Sequence, residues 1–145
     1  MSKVILLLII FISGVLVALQ PSVNARLAQK IGLVESSTVS FLVGTIFLLL
    51  LAMLFGQGSF RALPQATWWE LTGGLMGAFF VSAVILVVPR LGTGSVMAVA
   101  IAGQLLTALL LDQFQLFGFR AIPLTFTRIS GAVLMLLGTW LIIRN

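Results

Sequence analysis

Five apolar stretches, at about residues 4–28, 34–55, 69–88, 94–111 and 127–143, follow one another with only short polar links between them. Each approaches or exceeds the roughly 20 residues that a helix needs to cross a ~30 Å hydrocarbon layer. Inside lipid only helices and closed barrels satisfy every backbone polar group, and unbroken runs of this length suit helices. Composition agrees: 8% of the residues are charged and 61% are hydrophobic, with a mean hydropathy of +1.26. A soluble domain keeps about a quarter of its residues charged. The expected fold is an all-α integral membrane protein, residues 1–145 forming a single transmembrane domain of five helices. The opening Met-Ser-Lys and Val4 to Ile12 also have the form of a signal peptide with cleavage near Ala18. The first of several spans, however, normally serves as its own uncleaved signal.

The chain contains no Cys and no His. That inventory excludes disulfides, thiol catalysis, Cys/His zinc sites and His acid–base chemistry. No enzyme, metal or cofactor is expected. Eight basic residues give a net charge of +5, but they are scattered singly and form no nucleic-acid patch. Their role is topological. With five spans, Lys3, Arg61, Arg120 and Arg128 fall on one side of the membrane, and Arg26, Lys30, Arg90 and Arg144 on the other. The positive-inside rule therefore selects no orientation. One explanation is chance, or a partner protein that overrules a weak bias. The other is insertion in both orientations. An odd number of spans puts the termini on opposite sides, so two inverted copies would reproduce the pseudo-two-fold, ten-helix architecture of many transporters.

Polar groups inside the spans mark the candidate site. Ser13, Val17, Gln20 and Asn24 are spaced along one helical face. Gly14 and Ala18 beside them permit close helix approach. Pro21 cannot donate to the carbonyl of Val17, which predicts a kink and a free acceptor. Gln104 lies mid-span among Ala100, Thr107 and Ala108. Gly73 and Gly77 form a GxxxG packing pair, and Trp68, Trp69 and Trp140 suit an interfacial belt. Trp68 and Trp69 also offer a cation-π surface. Of the three carboxylates, Glu35 and Glu70 stand near helix starts, where capping explains them. Asp112 ends the fourth span, within reach of Arg120 or Arg128. For Gln20 and Asn24 the bland reading, interhelical hydrogen bonding, weighs as much as a wet cavity.

The segments "QPSVNARLA", "SFLVGTIFLLL", "GGLMGAFFVSAVILVVPRLGTGSVMAVAIAGQLLTALLLDQF" and "RISGAVLMLLGTWLI" resemble the short YdcZ-type members of the drug/metabolite transporter (DMT) superfamily. The most specific parts are Gln20-Pro21 with Asn24, Pro89-Arg90-Leu91-Gly92, and Gly103-Gln104 followed by Asp112. The resemblance covers nearly the whole chain. It implies a bacterial inner-membrane protein that acts as an antiparallel dual-topology pair, each copy corresponding to half of a ten-helix relative. It also implies a central cavity lined by the first, third and fourth helices. One departure stands out: members often carry a His after the acid closing the fourth span, and here Gln113 follows Asp112. The first-helix Glu of the small multidrug-resistance relatives is also missing, so their antiport mechanism does not carry over.

The expected function is an alternating-access exporter for a small organic molecule. Its substrate-binding residues are Gln20, Asn24, Gln104, Ser13, Trp68 and Trp69, with Pro21 as hinge. Gly14, Ala18, Gly73 and Gly77 pack helices, and Asp112 and Glu70 are candidates for ion coupling or ion pairing. Neutral amides favour a polar or zwitterionic solute; a cationic one would draw on Trp68, Trp69 or Glu70. The partners are lipid, an inverted copy or an oppositely oriented homologue, and the solute. The alternative is a non-transporting membrane scaffold that pairs with such a homologue.

Overall fold

The structure, a computed structural model, describes residues 2–118 and 121–144. Among them five helices are long and apolar enough to span a membrane, and no strand is present. These are α1 (Lys3–Ile31), α2 (Leu33–Phe55), α3 (Gly73–Leu91, prolonged upstream by a 3₁₀ turn at Trp68–Thr72), α4 (Thr93–Phe114) and α5 (Phe126–Ile143). The chain divides into two compact units, residues 1–90 and 91–145, and each is described by itself.

In the first unit α1 starts on a Ser2 cap whose side chain accepts from the N–H of Ile5. It then runs without interruption through Pro21 to Ile31, three residues beyond the expected span. Polar residues from Gln20 onward lower the hydropathy, but they do not break the backbone ladder. Only Gly32 separates α1 from α2. Its φ of 99° and ψ of 160° lie in a region that essentially only glycine enters. Its N–H donates to the carbonyl of Ala28, and its carbonyl accepts from Ser36. α2 ends at Gly56. Part of the polar link that follows coils into a 3₁₀ turn, Phe60–Gln65.

α1 and α3 lie side by side in the same sense. Gln20, Pro21 and Asn24 share a narrow cleft with Phe80, Val81 and Val84, while Ser22, Ala25, Arg26 and Gln29 line an open groove with Val88 and Pro89. Val81, Val84, Ile85 and Val88 are the buried stripe of α3. Pro89 sits within the last helical turn, and Gly92 alone, at φ 76° and ψ 153°, breaks the helix before α4.

In the second unit α4 packs on α5, burying Val96, Ala102, Leu109 and Ala132. The Thr139 hydroxyl donates to the carbonyl of Ala98 at 3.3 Å. α4 continues past the expected Leu111 to Phe114, and Gln115 then adopts a left-handed conformation that closes the helix.

Candidate functional site

The polar groups of the first unit gather near the Gly32 end. Asn24 is buried, and its side-chain amide donates to the hydroxyl of Ser40 on α2 at 3.1 Å. Ser36, which is fully buried, donates to the backbone carbonyl of Asn24 at 2.8 Å. One turn of α1 is thus tied twice to α2. A carbonyl has two lone pairs, so Asn24 can accept from Ser36 and still serve its own helix. Ser37, also buried, donates to the carbonyl of Leu33 and accepts from Ser82 of α3 at 2.9 Å. Such bonds within membranes are each worth roughly 0.6–2 kcal/mol. Neutral hydrogen bonds from neighbouring residues of α2 therefore reach both α1 and α3.

Gln20 stands one turn from Asn24 but is exposed, and no hydrogen bond engages it among the described residues. Pro21 is buried in the α1–α3 cleft beside it. Ser13 turns back on its own helix, donating to Ile9 at 2.9 Å. Gly14 has no neighbour within 4 Å of where a Cβ would stand, and Ala18 is half-buried. The glycine pair of α3 divides. A Cβ on Gly77 would come within 3.3 Å of the Phe41 ring of α2, whereas Gly73 faces open space. Trp68 is exposed, and Trp69 lies beside it in the 3₁₀ turn before α3. Glu70 closes a capping box: its carboxylate accepts from both the N–H and the hydroxyl of Thr67, each at 2.7 Å.

Gln104 belongs to the second unit. Its side chain is exposed and has no hydrogen bond among the described residues. Its neighbour Thr107 donates to Gly103 of the same helix. Asp112 forms an ion pair with Arg128, whose guanidinium also donates to the carbonyl of Ile122 at 2.9 Å. The side chain of Gln113 accepts from the N–H of Leu124 at 2.7 Å. Asp112 and Gln113 together fasten the α4–α5 link. Arg120, the other partner anticipated for Asp112, lies outside the described residues. Trp140 carries the Arg144 guanidinium 5.0 Å above its ring centre, which suits an interfacial anchor.

Sequence reasoning found Asn24 but missed Ser36, Ser37 and Ser40. The signal was present in "ESSTVS", four hydroxyls within five residues at the start of a span. A serine on a membrane helix bonds its own backbone as readily as a neighbour, so only the packing of α1 on α2 selects the partner.

Five helices long and apolar enough to span a membrane, hydrogen-bonded polar groups between them and exposed amides along them define a multi-pass membrane protein. The family described as "Putative inner membrane exporter, YdcZ" matches residues 5–141. The chain is also 32% identical to the "Inner membrane protein YdcZ" of Escherichia coli (strain K12), over 100% of this chain and 99% of that one. The chain belongs to the YdcZ family, and it is a multi-pass inner-membrane protein. The family description supports a role in membrane transport. No solved structure matches it.

Proposed function

We propose that the protein is an exporter that works by alternating access, built from two inverted copies of this chain around a mid-membrane site for a small polar or zwitterionic organic molecule. A single domain of residues 1–145 would supply each half. The observation that carries the reading is the pair of amides, Gln20 toward the end of the first span and Gln104 midway along the fourth, exposed and with no side-chain hydrogen bond among the described residues, on helices otherwise faced with hydrocarbon side chains. An amide left unpaired in lipid costs roughly 2–7 kcal/mol. Water, a solute or a second copy must therefore meet each one. Asn24 would act from behind, holding α1 to α2 while Gln20 reaches the cavity. Pro21, which has no N–H to offer the carbonyl of Val17 although the helix continues through it, is where α1 would flex. Trp68 and Trp69 would guide a solute at the membrane surface, and Glu70 would keep its capping role. Ser13 is turned to its own backbone and would assist only if it rotates. Asp112, engaged by Arg128, would fasten a link and not carry a proton.

The test uses the absence of native Cys. Gln104→Cys, and separately Gln20→Cys, is treated in sealed vesicles with a membrane-impermeant thiol reagent supplied from one side or the other. Reaction from both sides, slowed together when the protein is locked by cross-linking, is the expected outcome. A scaffold packed in lipid would leave both positions unreactive from either side, and that result would remove the transport reading.

A further inference from the structure

Arg128 and Arg144 are engaged, whereas Arg26, like Lys30 and Arg90 at the same end of the unit, is not. Arg128 is held by Asp112 and Ile122, and Arg144 lies over Trp140. Arg26 is exposed and has no hydrogen bond, ion pair or ring contact among the described residues. It lines an open groove of about 510 Å³ between α1 and α3, with Ser22, Ala25, Gln29, Val88 and Pro89. Ser22, Arg26 and Gln29 follow one face of α1 at successive turns.

The depth of this groove matters. If the hydrocarbon begins at Val4, ~20 residues of helix bring the chain to about Val23 at the opposite boundary. Arg26 then stands within a turn of that boundary, where a charge is tolerated and dissolved or headgroup anions are within reach. The same end of the unit carries Lys30 and Arg90, against the single carboxylate of Glu35, three cations to one anion. Guanidinium presents forked donors that match the oxygens of phosphate or carboxylate. Gln29 adds a neutral donor, and Val88 with Pro89 gives an apolar wall for an alkyl portion.

We infer that the groove of Ser22, Arg26 and Gln29 is an anion-recognition site, which takes a phosphate or carboxylate group on Arg26. The ligand is either the headgroup of an anionic lipid or the acidic group of a dissolved solute. The site is separate from the mid-span amides and does not depend on transport. Anion binding there biases any solute that enters past it toward acids and zwitterions, and against bare cations.

The experiment places a reporter in the groove of the full-length protein. Gln29→Cys in phosphatidylcholine nanodiscs is reacted with a sulfonate-bearing methanethiosulfonate and with a trimethylammonium-bearing one. The ratio of anionic to cationic rate is expected to fall roughly tenfold when Arg26→Gln is added, and to be largely restored by Arg26→Lys. Ser59→Cys, beyond the other end of α2, controls for the membrane's own potential and should show no dependence on Arg26. Slowing of the anionic reagent by inorganic phosphate in phosphatidylcholine identifies a dissolved ligand. Slowing at Gln29→Cys alone, when phosphatidylglycerol replaces part of the lipid, identifies a headgroup. A ratio unchanged by Arg26→Gln, or a failure of both anions to protect the thiol, overturns the inference.

Discussion

Gly32 and Gly92 are single-residue links between long helices, and they adopt the same glycine-restricted backbone conformation. Any side chain at these positions forces strain of order 1–3 kcal/mol. At Gly32 a new Cβ would also collide with the Glu35 carboxylate. Gly32→Ala is therefore expected to lower stability by about that amount, read as a lowered unfolding midpoint in mixed micelles. Gly58→Ala, where an added Cβ meets nothing within 4 Å, should leave the midpoint unchanged. The two links were not equally legible. Gly92 follows Pro-Arg-Leu in an evident gap between apolar runs, so the sequence locates it. Gly32 also falls in the gap left between the first two runs, but hydropathy already declines from Gln20, eleven residues before the helix stops at Ile31. Polarity marks where lipid gives way; the backbone decides where a helix ends. The amides followed the same logic. Gln20, Asn24 and Gln104 were conspicuous against their apolar surroundings, while the serines that bind Asn24 needed the packed helices to reveal them.

At the level of elements, the five apolar runs could be read from the sequence, because hydrophobic length in a membrane chain is nearly its secondary structure. Their ends were less legible. α4 carries three residues beyond its apolar run, Asp112, Gln113 and Phe114, and two of them secure the following link. Asp112 and Arg128 are partly exposed, with side-chain exposures of 34% and 28%. Their pairing is thus screened, and about 1 kcal/mol is the appropriate scale. Asp112→Asn should accelerate limited proteolysis in the α4–α5 link by roughly fivefold, with Arg128→Gln similar and the double variant no worse than either. Additive acceleration would mean that the two side chains act separately. Pairing of these two also accounts for an acid that stood out in the sequence as a candidate for ion coupling. The Gly73–Gly77 spacing resolves in a comparable way: one glycine admits Phe41, and the other remains open on the surface of α3.

For the whole molecule, family membership and the five spans place the chain in the bacterial inner membrane. What the family description leaves open is how a chain of 145 residues would make a pathway. The account here is that two copies insert in opposite senses. Its motive is the charge count, four basic residues assigned to each side of the membrane. Gln20 of α1 and Gln104 of α4, whose side chains have no hydrogen bond among the described residues, would give the second copy and the solute something to meet. Labelling of the two termini tests this claim most directly. Single Cys residues at Ser2 and Asn145, in a chain with no other thiol, are treated in intact cells with an impermeant maleimide before and after permeabilisation. The account predicts that each terminus is about half accessible from outside, in agreement with an even charge balance. One terminus always protected and the other always labelled would contradict it, and would leave an oppositely oriented homologue as the required partner.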